Sequence, residues 1–193
     1  MPETVSAMEP YRPFWGKARP GGPSDPPYHP LAYHSLDVAA VGASLLARDG
    51  SLRQRLAELT GLHESTAAGW LAFFLALHDI GKFAEGFQAL QRDLFRRLRS
   101  RDSRSGYSVH HDSLGYVLWS EYLWPLAWDE DWFGLGAAAR PAEERDEWEA
   151  VFQGWALACT GHHGRPPTRQ EGAVLAVPCA LLLPSHRRAR RYP

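Results

Sequence analysis

The stretch "ESTAAGWLAFFLALHDIGKF", residues 64–83, decides the fold. It is apolar on most of its faces, which marks a helix that other helices must enclose. Ser65 or Thr66 stands where an N-cap belongs. At its far end His78 and Asp79 lie side by side in an apolar run, and Gly81 lets the chain bend there. Removing water from a carboxylate or an imidazolium is costly unless a partner replaces it. The rest of the chain has to supply that partner.

Upstream, Leu31, Leu36, Val38, Val41, Leu45 and Leu46 recur at helical spacing and predict a helix from Leu31 to Arg48, ended by Gly50. A short helix over 51–59 follows, closed by Gly61. Downstream, residues 84–99 read as amphipathic and run into the arginine-rich stretch "RRLRSRDSRSG" (96–106). A helix over 112–124 places Leu114, Val117, Leu118 and Tyr122 on one face. A Trp- and acid-rich connection spans 124–140. Pro141 then opens a helix with an apolar stripe of Trp148, Val151, Phe152, Trp155, Ala158 and Cys159, ending at "TGHHGRPP" (160–167). Residues 1–30 hold many of the 15 prolines and read as a lead-in without helix. The sequence offers no internal repeat, hairpin signature or alternating strand pattern of useful length. The expected fold is all-α.

The length of 193 residues suits one domain with a sizeable core. A formal net charge of −1 gives the chain no overall attraction to nucleic acid, so any such contact must come from a local patch. Cys159 and Cys179 are too few for a disulfide framework and read as buried thiols in a reducing compartment. No run is long and apolar enough for a membrane span, and the N-terminus lacks the order of a signal peptide. The expected location is the cytoplasm.

Nine histidines are present, and five of them recur at or near helices beside Asp or Gly. They are His34 in "AYHSLDVAAV", His78 in "LHDIGK", His111 in "VHHDSLG", and His162 with His163 in "TGHHGRP". Four helical segments can therefore aim imidazoles at one point, the usual way of building a metal site inside a helical bundle. Imidazole and carboxylate without thiolate favour Mn, Fe, Co, Ni or Zn over a structural cysteine–zinc site. A single carboxylate among several histidines also suits a two-ion arrangement bridged by Asp79, which activates water and stabilises oxygens at a phosphorus centre. His29, His63 and His186 read as structural or solvent-facing, and Asp37 as a plain surface aspartate or an acceptor that orients the neighbourhood of His34.

The dyad followed by Gly-Lys, with an upstream histidine and a downstream "GHHG", resembles the HD superfamily of metal-dependent phosphohydrolases. More narrowly it is similar to the HD nuclease domain of the type I CRISPR-associated helicase-nuclease. The matching stretches are "FWGKARP" (14–20), "YHPLAYHSLDVAAVG" (28–42), "LALHDIGKFAEGFQ" (75–88), "HHDSLGYVLW" (110–119) and "TGHHGRPP" (160–167). The resemblance implies an HD-domain helical bundle binding one or two divalent ions (Mn, Ni, Co, Fe or Mg) and cleaving single-stranded DNA in antiviral defence. It implies a CRISPR helicase subunit and a crRNA-guided surveillance complex as partners. His34, His78, Asp79, His111, His162 and His163 would be metal ligands, with His111 preferred to His110. Asp79 and Lys82 would be catalytic, Lys82 placing an ammonium near the scissile phosphate. A single strand is the expected substrate because a phosphate within a duplex fits poorly into a helical cleft.

One departure stands out. Members of the family carry a further aspartate downstream of the GHHG segment, whereas here the sole carboxylate side chain after His163 is Glu171. The expected organisation is a lead-in (1–30), a C-terminally truncated HD-type domain (31–177) and a basic, irregular tail (178–193). Two other readings remain open: an HD phosphohydrolase acting on nucleotides, and an inert remnant that only binds metal. The arginine cluster 92–104 reads either as a track for a DNA backbone or as a solvated basic loop.

Overall fold

The computed structural model describes residues 11–18, 27–164 and 167. The chain enters through two short antiparallel strands, β1 (Trp15–Ala18) and β2 (Tyr28–Pro30), with a register irregularity between Trp15 and Lys17. Helices α1 (Leu31–Arg48), α2 (Gly50–Thr60) and α3 (Glu64–Leu77) follow. A 3₁₀ turn (Ile80–Phe83) leads into α4 (Glu85–Gln88) and α5 (Arg92–Arg99). Then come α6 (His111–Leu118), a π turn (Trp119–Leu123) that runs into α7 (Trp124–Asp129), a 3₁₀ turn (Ala137–Ala139) and α8 (Ala142–Thr160). The fold is helical, as the sequence reading expects, and β1–β2 is the sole sheet among the described residues.

Helix α3 is the axis. Its Ala67, Trp70 and Phe74 are buried, and Trp70 and Phe74 pack into an aromatic core with Trp119, Trp124, Phe133 and Phe152. Its C-terminal end carries His78 and Asp79 out of this core, toward α1 and α6. Edge-on, tilted and stacked ring pairs at 4.1–6.5 Å recur through the core.

The structure corrects several sequence expectations. The lead-in contains the β-hairpin, which has no local signature because its strands are four and three residues long and are held by a distant side chain. The buried amide of Gln88 accepts from the Trp15 N–H at 3.0 Å and donates to the carbonyls of Trp15 at 2.9 Å and Lys82 at 2.8 Å. Gly50 begins α2 instead of ending α1; Asp49 ends α1 and caps α2 by accepting from the Leu52 N–H. The N-cap of α3 is His63, whose Nδ1 accepts from the Ser65 N–H at 3.3 Å, not Ser65 or Thr66. Residues 124–129 are helical, with Pro125 tolerated in the first turn of α7.

The α1 stripe is also turned from its expected position. Leu31, His34, Gly42 and Leu46 face inward, while Leu36, Val41 and Leu45 are exposed. The cause is the packing of α3: a Cβ on Gly42 would lie 2.2 Å from Leu75 Cδ1, and His34 must turn inward to meet Asp79. On α8, Val151 and Ala158 are likewise exposed, and Phe152, Ala156 and Thr160 form the buried face.

Candidate metal centre

Asp79 follows α3 directly and is 2% exposed. Its Oδ2 lies 2.6 Å from Lys82 Nζ, 3.1 Å from His34 Nε2 and 3.2 Å from His78 Nε2. Its Oδ1 faces His111 Nε2 at 3.3 Å and His162 Nε2 at 3.5 Å, and has no hydrogen-bond partner although it is fully buried. One carboxylate therefore joins two sets of potential ligands, His34–His78–Asp79 and Asp79–His111–His162, in each of which the ligand atoms lie within 4.8 Å of one another. His163 Nε2 stands 3.0 Å from His111 Nε2, extending the second set.

Local backbone rules orient these rings. His78 caps the C-terminus of α3 and its Nδ1–H donates to the Leu75 carbonyl at 2.7 Å, leaving Nε2 to face Asp79. His162, just past α8, repeats the device: its Nδ1 reaches the Cys159 carbonyl at 3.1 Å and its Nε2 faces Oδ1. Both use a carbonyl of the last helical turn to fix a ring. His111 is held differently. The hydroxyl of Tyr107 accepts from the His111 backbone N–H at 3.1 Å and lies 3.2 Å from His111 Nδ1.

Gly81 serves this geometry by closeness, not by a bend. A Cβ there would stand 1.8 Å from the His111 carbonyl oxygen and 2.6 Å from the Gly115 nitrogen. The bare backbone lets α6 lie against the 3₁₀ turn and brings His111 to Asp79.

The electrostatics suit a cation. Burial alone would raise the Asp79 carboxyl, but the close approach of His111, His78 and Lys82 outweighs it and holds the group far below its ordinary value. Burial lowers His34, His162 and His163, so these imidazoles are neutral near pH 7, the state in which they ligate metal. A buried, ionised carboxylate with an orphan oxygen among neutral imidazoles is the donor set of a divalent ion of the Mn, Fe, Co, Ni or Zn type. The residues present fit such an ion.

All the sequence-singled residues meet here: His34, His78, Asp79, Lys82, His111, His162 and His163. His110 turns outward, pairs with Asp112 at 2.8 Å and touches only the His111–His163 edge of the cluster. Asp37 does not orient His34; it pairs with His29 at 2.8 Å on the surface. Tyr107 and Gln88 were invisible to sequence reasoning, because neither belongs to a ligand type. Cys159 contributes its carbonyl and not its thiol, which burial pushes up to about 11. Glu171, Cys179 and His186, and the predicted tail, lie outside the described residues.

The chain is similar to known proteins along most of its length. The family model described as "Cas3, HD domain" matches residues 15–182. The CRISPR-associated endonuclease/helicase Cas3 of Escherichia coli (strain K12) is 31% identical over 168 residues, covering 81% of this chain and 18% of that protein. The protein of the same name from Thermus thermophilus is 44% identical over 64 residues, covering 33% of this chain and 7% of that protein. A solved structure described as a CRISPR-associated protein matches 85% of this chain and 16% of its own at 30% identity, with a TM-score of 0.59. The chain thus spans under a fifth of the length of these curated relatives.

Proposed function

The chain belongs to the Cas3 HD-domain family, and on that premise we propose that it is a divalent-metal-dependent nuclease that hydrolyses phosphodiester bonds in single-stranded DNA. It would act in CRISPR antiviral defence beside a helicase subunit and a crRNA-guided surveillance complex. The observation that carries the reading is Asp79 Oδ1, buried and without a hydrogen bond between two histidine sets.

When bound, one or two divalent ions would supply an activated water and charge stabilisation at phosphorus. The residues of the chain do the rest. Asp79 presents one oxygen to each histidine set. His34, His78, His111, His162 and His163 present ring nitrogens, two of them fixed by helix-end carbonyls. Lys82, 2.6 Å from Oδ2, balances the carboxylate and would stabilise negative charge on a phosphate held at this centre. No helix among the described residues is long and apolar enough to cross a membrane.

The test incubates the full chain with circular single-stranded DNA and Mn²⁺, Ni²⁺ or Co²⁺, beside an Asp79→Ala variant. Linearisation that requires metal and is lost in the variant is expected. Cleavage that persists without Asp79, or hydrolysis of small nucleotides with DNA left intact, contradicts the reading.

A further inference from the structure

Beside the metal centre, outside its ligand set, lies a cavity of about 530 Å³ between α4, α5 and the 102–107 loop. Its wall includes Arg92 and Arg96 from α5, the carboxylate-bearing Asp102, Leu90, Ser103 and Tyr107. We infer that this groove is a subsite for the phosphodiester backbone of a single nucleic-acid strand, which it leads to the metal centre; the inference rests on the nuclease reading.

Three observations support it. The first is charge. Between 92 and 104 the sequence places six arginines against two aspartates, in a chain whose net charge is −1. Not all of this charge is available. Arg96 pairs with Asp102 at 2.5 Å, Arg101 pairs with Glu85, and Arg99 lies over the Phe14 ring at 3.9 Å. Arg92, Arg97 and Arg104 have no acidic partner among the described residues, and Arg92 lines the cavity. Positive charge left unpaired beside a cavity is what recognises phosphate.

The second is preorganisation. Glu85 accepts from Arg101 at 2.5 and 3.0 Å, from the Ser103 hydroxyl at 3.1 Å and from the Arg104 backbone N–H at 2.8 Å. The loop is thereby tied to α4, and Gly86 admits it closely, since a Cβ there would lie 2.4 Å from the Gly106 oxygen. A solvated basic loop needs no such anchoring.

The third is continuity. Tyr107 is at once a wall of the cavity and the hydroxyl that holds His111. The groove therefore lies one side chain away from His111, on the Nδ1 edge of its ring. Tyr107 and half-exposed Leu90 offer the apolar surface on which bases rest in sequence-tolerant strand binding.

The test is binding of fluorescein-labelled oligo(dT) to the full chain in EDTA, so that hydrolysis plays no part, titrated over a range of NaCl. Each phosphate contact on a single strand contributes about 0.7 to the slope of log K against log[salt]. Arg92→Ala with Arg96→Ala should lower the slope by at least about 0.7, the contact of the unpaired Arg92, and weaken binding several-fold. Lysine at both positions should restore most of the slope. Arg48→Ala with Arg55→Ala, on α1 and α2, should change neither. Wild-type affinity and slope in the double-alanine chain, or no oligo(dT) binding by the wild type, overturns the groove. Intact binding by a preparation that fails to linearise circular DNA with every metal counts against the nuclease reading and leaves the groove standing.

Discussion

Asp79 draws its neighbours by two kinds of local rule. His78 and His162 each follow a helix and each spend Nδ1 on the carbonyl three residues earlier, so that Nε2 is the nitrogen turned toward the carboxylate. The sequence displays both histidines but not the carbonyls, which every residue possesses. Tyr107 is a third orienting group and was missed for the same reason: a tyrosine in a loop carries no ligand signature. Its role makes a prediction. Tyr107→Phe keeps the ring against Phe87 and removes the hydroxyl from His111. Divalent-ion affinity should fall by about 10- to 100-fold, the usual cost of losing a partner that orients a ligand. Thermal stability without metal should change little. Titration calorimetry with Mn²⁺ checks this, and an unchanged affinity would show that the hydroxyl does not position the ring.

Among the elements, α3 was the most legible, because a helix apolar on nearly every face has to be central. The bounds of α1 were legible too. Its buried face was not, since Gly42 and His34 face inward for reasons that lie on α3. Hydropathy ranks glycine and histidine below leucine, so periodicity turned the stripe outward. The α4–loop assembly makes a prediction of its own. Hydrogen bonding from Arg101 lowers the Glu85 carboxyl from 4.5 to about 2, more than offsetting its partial burial. A carboxylate depressed in the folded state stabilises above its unfolded pKa and loses that contribution as pH falls. The stability supplied by Glu85 should thus be present above about pH 5 and vanish between about pH 4.5 and 2. Glu85→Gln should cost about 1–2 kcal/mol at pH 7, allowing for the solvent exposure of Arg101. That difference should shrink toward zero in acid. Urea unfolding of both proteins at pH 7 and pH 3 measures it; a gap that stays constant would place the stabilisation elsewhere.

At the scale of the molecule, the helical class and the convergence of four histidines on one aspartate, with His163 beside His111, were both readable, since His and Asp rarely enter an apolar run without a partner. The β-hairpin was not. It depends on Gln88, more than 70 residues from Trp15, and a single glutamine in a helix gives no local cue to such a bond. The same glutamine holds the Lys82 carbonyl, so one buried amide joins the lead-in to the turn that carries the metal centre. The centre is consequently a product of the whole topology: α1, α3, α6 and the end of α8 each deliver one part of it. Any catalysis at this centre requires that the ions bind first. Calorimetric titration of the metal-free full chain with Mn²⁺ or Ni²⁺, beside Asp79→Asn, measures that binding. Saturable binding that weakens by more than about 100-fold in Asp79→Asn, beyond the loss expected for an outer partner, is the predicted result. Equal binding by the two proteins would contradict it.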